Sequence, residues 1–350
     1  MNEQLSRRNF LKGCCAMAGV VVLGSFGCSG ISRRSATNEL GKKTDQRGHP
    51  LTPRYLELER SGELARREKA LWELYSPCYL CPRDCGANRA NGEGGACTAA
   101  SNFRVASYGP AFNIDPPISG SRGSGSIFMS NCNLLCVFCQ NWHIAHRGDG
   151  RITSHRELAN IMLEQQRRRA HNVNIVTPTH HYPHIVTALR MAIQRGLNIP
   201  LVVNSSGYES LEVIKLLDGV IDIYMPDFKF MDSEIAKPFI EYAPNYAEHT
   251  AVAIKEMHRQ TGDLVMVDGI GKRGTMVIHL VMPENLSGTD KFVRWVVDEL
   301  GPDTYVNIMG QFRPAFRSHE FPPLDRRITQ QEFAQAMRWA REAGLRNLRR

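Results

Sequence analysis

Short apolar runs alternate with longer amphipathic segments through most of the chain. Runs rich in Val and Ile predict strands, and the segments between them predict helices. The predicted strands are 126–129, 173–176, 199–203, 220–224, 275–282 and 304–309, with 264–267 as a hairpin partner of 275–282. Strands of this kind, separated by helices, are typical of a parallel sheet that is buried on both faces. The pattern therefore predicts an α/β fold of six βα units, arranged as a partial (β/α)6 TIM-like barrel.

Two sequence signatures mark where helices begin. Ser154 with Glu157, and Thr329 with Glu332, each have the spacing of a capping box. The other predicted helices cover 53–75, with Ser61 as a candidate cap inside it, and 183–195, 211–217, 233–240, 246–260 and 291–300. Ligands of parallel α/β folds bind at the carboxyl ends of the strands. We therefore expect the functional residues in the segments that follow the predicted strands.

The N-terminal segment reads as an export signal. "SRRNFLK" at 6–12 precedes an apolar stretch, 13–28, that is shorter than the roughly 20 residues of a membrane span. This combination predicts a twin-arginine signal peptide over 1–30, export to the periplasm or the membrane by the twin-arginine machinery, and a bacterial source. A signal that stays in the membrane as an anchor is the alternative, and lipidation at Cys28 is a weaker one.

Composition shifts divide the rest of the chain. Residues 31–52 are polar without apolar periodicity and predict a flexible linker. We expect a helix and a Cys-rich metal-binding lobe over 53–115 and the barrel over 116–345. The net charge of +8 is concentrated near the two ends of the chain. No stripe of basic and aromatic residues accompanies it, so nucleic-acid binding is not expected.

The ten cysteines fall into groups, which favours metal sites over a disulfide framework. Cys132, Cys136 and Cys139 have the spacing C-x3-C-x2-C, and no cysteine follows them. Three thiolates leave one position of a four-ligand site open, and an open position serves catalysis. A zinc site or an electron-transfer cluster is the simpler alternative.

A second group has four cysteines. Cys78, Cys81, Cys85 and Cys97 have the spacing C-x2-C-x3-C-x11-C, which is a complete ligand set. Zn²⁺ and a second iron–sulfur cluster are both compatible with this spacing. Paired disulfides are the alternative, because the export signal implies an oxidising compartment.

The trio, with Phe138 before its last cysteine, resembles the cluster loop of radical S-adenosylmethionine (SAM) enzymes. Further stretches are similar to the pyruvate formate-lyase activating enzyme-related (PflX-like) branch: "CYLCPRDCGANRANGEGGAC", "PPISGSRGSGSIFM", "VTPTHHYPHIVTAL", "VNSSGYES", "DIYMPDFKF" and "GPDTYVNIMGQFRP". The resemblance implies a [4Fe–4S] cluster on the trio, with SAM on the fourth iron. It also implies reductive cleavage of SAM to a 5′-deoxyadenosyl radical that abstracts hydrogen. By analogy, a glycyl radical protein would be the substrate and flavodoxin or ferredoxin the low-potential electron donor.

The resemblance also implies where SAM is held. The candidate cofactor-binding residues follow the predicted strands: Thr177, Thr179, Asn204, Ser205, Ser206, Asp227, Lys229 and His279. "VTPTHH" stands where many relatives have Gly-Gly-Glu, so Thr177 and Thr179 would offer hydroxyl and backbone groups instead. Turn chemistry at 204–206, a surface salt bridge between Asp227 and Lys229, and a core role for His279 are the alternatives. His180 and His184 favour the rim of a pocket over a zinc site.

Export and the expected chemistry conflict, because SAM and low-potential reductants are cytosolic. One resolution is an enzyme that acts in the cytoplasm before or without export. The other is a different class of protein, an exported iron–sulfur electron carrier or binding protein on the same scaffold. Cleavage of SAM distinguishes the two.

Overall fold

The computed structural model describes residues 44–45, 48–112, 114–241 and 243–349. The predicted signal peptide at 1–30 lies outside the described residues, as does most of the predicted linker. Within the described residues, no helix is both long and apolar enough to cross a bilayer.

Within the described residues, nine strands form one mixed sheet. They are β1 (Arg104–Ala111), β2 (Ser124–Met129), β3 (Arg151–Ile152), β4 (Val173–Val176), β5 (Leu201–Ser205), β6 (Ile223–Pro226), β7 (Val265–Val267), β8 (Ile270–Leu280) and β9 (Tyr305–Met309). Six of these pair in parallel, in the order β2-β4-β5-β6-β8-β9. The α/β class and the six parallel strands are confirmed, and β7 is the expected antiparallel partner of β8.

Helices precede, connect and follow the parallel strands. They are α1 (Tyr55–Arg60), α2 (Glu63–Glu73), α3 (Pro116–Ser119), α4 (Trp142–Ala145), α5 (His155–Arg167), α6 (Tyr182–Ile193), α7 (Leu211–Leu216), α8 (Ser233–Ala236), α9 (Tyr246–Thr261), α10 (Thr289–Glu299) and α11 (Gln330–Glu342). Both predicted capping boxes are present, at the starts of α5 and α11. In each, a hydroxyl side chain and a glutamate satisfy N–H groups that the helix leaves unpaired.

Two parts of the fold differ from the sequence-based expectation. The helix expected over 53–75 is broken into α1 and α2, because Gly62 has a left-handed backbone (φ +79°). Ser61 lies at the C-terminal end of α1, where its hydroxyl donates to the Leu58 carbonyl. The antiparallel strands β1 and β3 were not expected. Gly109 and Pro110 interrupt the β pattern of β1, and Pro is tolerated there because that part of β1 pairs on one side alone.

The sheet is buried on both faces, as its continuous apolar strands require. On the inner face, Val202, Met225, Met276 and Ile278 pack together with Ile118 of α3. This layer fills the space between the strands below their carboxyl ends. Above it, the carboxyl ends of the six parallel strands surround a cavity.

Candidate functional site

A cavity of about 360 Å³ lies at the carboxyl ends of the parallel strands. All three cysteines of the trio line it. Six of the eight predicted cofactor-binding residues also line it, namely Thr177, Asn204, Ser205, Ser206, Asp227 and Lys229. The cavity therefore combines thiols with hydroxyl, amide and charged groups contributed by separate strand ends.

The loop that carries the trio, residues 130–141, is called the cluster loop below. It follows β2 directly and is tied down by backbone hydrogen bonds. The Val137 N–H donates to the Phe239 carbonyl at 2.9 Å, and the Val137 carbonyl accepts from the Arg317 N–H at 2.9 Å. Asn131 and Leu135 have left-handed backbones, with φ of +70° and +53°. Such conformations in non-glycine residues persist where the surrounding structure enforces them, which is frequent at functional sites.

Burial and nearby charge act on the three thiols in opposite directions. Burial raises the pKa of Cys132 and Cys136, and it raises the pKa of Cys139 to about 11 with Cys132 as a further cause. Backbone N–H groups that approach Cys132 and Cys139, and the Lys229 ammonium, lower these pKa values and stabilise the thiolates. The cluster loop therefore favours cysteine thiolates once a positive group compensates for the cost of burying their charge.

The segments after β4 and β5 form the next part of the wall. Thr177 has a left-handed backbone (φ +61°), and its N–H donates to the Asn204 carbonyl at 2.9 Å. Gly207 ends this wall in a left-handed conformation (φ +76°), and a Cβ atom there would lie 2.1 Å from the Asp227 carbonyl oxygen. Only glycine allows the chain after β5 to approach the end of β6 so closely. Ser206 is buried in the same wall, and its hydroxyl donates to the Asn133 side chain of the cluster loop at 3.0 Å.

Asp227 and Lys229 form an ion pair at the end of β6. The Lys229 Nζ lies 2.6 Å from the Asp227 Oδ2, and the side chains are 16% and 22% exposed. Burial by itself would lower the pKa of Lys229, but the Asp227 carboxylate and then the Cys136 sulfur raise it above its ordinary value. Lys229 therefore stays charged beside the trio. The pair is mostly buried, so it is not the surface salt bridge that was the alternative.

The structure places two of the predicted cofactor-binding residues away from the cavity. The Thr179 hydroxyl is buried and donates to the Glu209 Oε1 at 2.7 Å. The His279 ring is fully buried, stacks on Phe292 with centroids 4.1 Å apart, and is hydrogen-bonded to the Phe228 carbonyl and to Thr289. This is the arrangement of a satisfied core histidine.

Two residues near the site were missed in the sequence. Glu209 is fully buried behind the wall, and burial raises its pKa to about 8. The Tyr246 hydroxyl accepts from the Lys229 N–H at 2.9 Å and donates to the Ser206 carbonyl at 3.2 Å, which joins the ends of β5 and β6. Neither has a sequence signal, because "YES" and "PNY" read as ordinary loop and helix residues.

The histidines of "THHYPH" are buried, so they do not form a pocket rim. His180 and His181 both contact the Ser130 carbonyl, at 2.9 and 3.2 Å. His184 is hydrogen-bonded to His155 and to the Tyr75 hydroxyl. Burial lowers the pKa of His180 and His184 to about 3, so these rings are neutral near pH 7.

The four-cysteine group lies beside the cluster loop. Cys78, Cys81 and Cys97 are buried and Cys85 is exposed. None of the seven described cysteines is in a disulfide. Among the residues that the structure describes, no group of three or more His, Cys, Asp or Glu side chains has an arrangement that would hold a metal ion as it stands.

Comparisons with known proteins add to this geometry. A family model described as the radical SAM superfamily matches residues 126–295, which begin in β2 and include the trio and the ends of β4, β5 and β6. An uncharacterized protein of Methanocaldococcus jannaschii is 31% identical over 285 residues, which cover 78% of this chain and 76% of that protein.

Two solved structures also share features with the chain. TYW1 with a lysine-pyruvate adduct bound has a TM-score of 0.40 and 11% identity, over 62% of this chain and 73% of that one. SuiB of Streptococcus suis bound to S-adenosylmethionine has a TM-score of 0.40 and 12% identity, over 62% of this chain and 47% of that one.

Proposed function

Since residues 126–295 match the radical SAM superfamily model, we propose that this chain is a radical SAM enzyme, which reductively cleaves SAM and uses the resulting radical to abstract hydrogen from a substrate. The family implies a [4Fe–4S] cluster and SAM. The observation that carries the proposal is the single cavity at the strand ends, lined by three cysteines and by polar groups from three neighbouring strand ends. This donor set fits a cluster with one iron left open for SAM, because the polypeptide offers three thiols there and the remaining space is lined by hydrogen-bonding groups.

When bound, the cluster and SAM supply the electron transfer and the radical chemistry. The chain's own residues hold and orient them. Cys132, Cys136 and Cys139 would ligate iron as thiolates, with Lys229 supplying positive charge beside them. Thr177, Asn204, Ser205 and Ser206 line the cavity, and their polar groups would meet the ribose or carboxylate of SAM. Asp227 keeps Lys229 charged and in place.

The wall that Gly207 and Tyr246 hold together keeps these polar groups at fixed positions. Preorganised groups of this kind lower the free energy of ordering a bound cosubstrate. Phe138 and Phe312 line the same cavity, with ring centroids 6.1 Å apart, and exclude water from the thiol side. Exclusion of water protects a carbon-centred radical from side reactions.

We also propose an activating-enzyme-like protein on a partial (β/α)6 barrel, with a glycyl radical protein as substrate and flavodoxin or ferredoxin as electron donor. The stretches that resemble the PflX-like branch support this assignment. The six consecutive parallel strands support the barrel. The "SRRNFLK" pattern supports recognition by the twin-arginine machinery. Because SAM and the reductant are cytosolic, we place the reaction in the cytoplasm, before or without export.

The experiment reconstitutes the cluster anaerobically, reduces it with dithionite and measures 5′-deoxyadenosine formed from SAM. We expect product from the wild type and none from Cys136→Ala. Cys28→Ser is the matched control, because it removes a cysteine outside both groups and should leave the product yield unchanged. A fully loaded cluster that yields no 5′-deoxyadenosine would refute the enzyme and favour the electron carrier.

A further inference from the structure

The four-cysteine group at 78–97 is next to a buried positive charge. The Arg89 side chain is 1% exposed, its Nη2 donates to the Cys97 sulfur at 3.1 Å and its Nη1 donates to the His180 carbonyl at 3.2 Å. In the described part of the chain, no Asp or Glu forms an ion pair with Arg89. A buried guanidinium without a negative partner is strongly unfavourable. The Cys97 sulfur lies within hydrogen-bond distance of the guanidinium, so a thiolate there would supply the missing negative charge.

A second cysteine of the group lies near the same guanidinium. A Cβ atom at Gly95 would lie 3.0 Å from the Cys85 sulfur and 3.5 Å from the Arg89 Nη2, so both groups border this glycine. Donors aimed at sulfur stabilise thiolates and the sulfurs of metal-bound cysteines. Disulfides, which are neutral, would leave Arg89 without the anion that it faces.

The same lobe is attached to the cluster loop. Arg83 lies between Cys81 and Cys85, and its guanidinium donates to the carbonyls of Asn133 and Leu134 in the cluster loop and of Glu241. At a second point, the Asn131 side chain donates to the Thr98 hydroxyl at 2.7 Å. Thr98 is adjacent to Cys97, and Asn131 is adjacent to Cys132. The two cysteine groups are therefore joined by side chains that neighbour their ligands.

We propose that Cys78, Cys81, Cys85 and Cys97 bind a thiophilic metal as four thiolates, with Arg89 as the balancing charge, and that the metal-bound lobe holds the cluster loop in place through Arg83. The role of Arg83 rests on the proposed function of the cluster loop, whereas the metal site does not. An ordered lobe gives Arg83 a rigid base, so that its hydrogen bonds restrict Asn133 and Leu134 between the first two cysteines of the trio.

The metal site is tested in the full chain with Cys132, Cys136 and Cys139 all replaced by Ala, so that the trio cannot bind metal. Zn²⁺ or Co²⁺ is added to one sample, and Fe²⁺ with sulfide to another. We expect about one zinc, or an iron–sulfur chromophore with up to about four irons, per chain. Cys81→Ser should abolish either signal. Binding of either metal supports the site, and failure to retain any metal in both samples overturns it.

The attachment is tested by hydrogen–deuterium exchange, which does not depend on SAM cleavage. Arg83→Met should leave the metal content of the lobe unchanged and raise amide exchange across 132–139 by about tenfold or more, since charged hydrogen bonds are lost. Arg66→Met is the matched control, because Arg66 pairs with Glu63 on the surface and is 65% exposed. Equal exchange in Arg83→Met and Arg66→Met overturns the role of Arg83, whether or not the wild type cleaves SAM.

Discussion

The ion pair in the cavity wall allows a quantitative test of the site's electrostatics. Lys229→Met keeps most of the side-chain volume and removes the charge that lies 2.6 Å from Asp227. Breaking a buried pair by removing one partner costs about 3–5 kcal/mol. The two side chains keep 16% and 22% of their exposure. We therefore expect the low end of this range, a loss of about 3 kcal/mol or about 4 °C in Tm for a chain of this size.

The chain offers a matched control. Lys237 and Glu234 form a pair of similar length, 2.8 Å, but their side chains are 61% and 79% exposed. An exposed pair contributes about 0–1 kcal/mol, so Lys237→Met should change stability very little. Both variants are measured by urea unfolding under reducing, anaerobic conditions.

The combined variant Asp227→Asn and Lys229→Met completes a double-mutant cycle. It removes both charges, so we expect it to recover most of the stability that Lys229→Met loses. Equal losses in Lys229→Met and Lys237→Met would show that the pair is effectively solvated and would refute the reasoning. A second readout is the iron retained after gel filtration, which should fall in Lys229→Met because a positive charge beside the thiolates is gone.

Three further predictions concern buried or strained residues. Burial raises the pKa of Glu209 from an ordinary 4.5 to about 8. Between pH 4.5 and pH 8, Glu209 is therefore protonated in the folded state and ionised in the unfolded state. Wild-type stability should therefore fall relative to Glu209→Gln by about 1.4 kcal/mol per pH unit as the pH rises through this window, and parallel urea profiles for the two proteins would contradict it. His180 and His184, with pKa values lowered to about 3 by burial, and His279, lowered to about 4, take up protons in the unfolded state before the folded state. In Glu209→Gln, which lacks the opposing effect of Glu209, stability should then drop as the pH falls below 6.5, and a flat urea profile between pH 7 and 5 would contradict neutral buried rings. Thr177→Gly removes the strain of a left-handed residue, which costs about 1–2 kcal/mol. The added freedom of glycine in the unfolded state opposes this by about 0.5–1 kcal/mol, so the variant should be slightly more stable than the wild type and should bind SAM more weakly by calorimetry. A destabilised variant would show that the backbone at Thr177 is not strained.

Local patterns predicted much of the fold. The strand at 173–176 has the predicted bounds, and both capping boxes begin the helices that were expected. These features depend on residues a few positions apart, so the sequence carries them directly. The interrupted strand β1 was missed because its Gly and Pro weaken the local signal, and its pairing with β2 compensates for this.

The candidate site divides in the same way. The order of the strands indicated which segments would meet, and six predicted residues do line one cavity. The sequence pattern could not predict which way each side chain points. Ile278 and Leu280 face the cavity, so His279 between them points to the opposite face, where it stacks on Phe292. Thr179 starts a short 3₁₀ turn, which directs its hydroxyl to Glu209.

The sequence by itself therefore determined the α/β order, the starts of the two helices with capping boxes and the two cysteine spacings, because each is set by the chemistry of neighbouring residues. Tertiary structure alone decided which polar groups share the cavity and that Glu209 and Arg89 are buried. It also brought Arg83 to carbonyls 50 residues away along the chain. Such contacts arise when separate elements pack against each other, and the packing is set by the whole set of buried surfaces rather than by any local stretch.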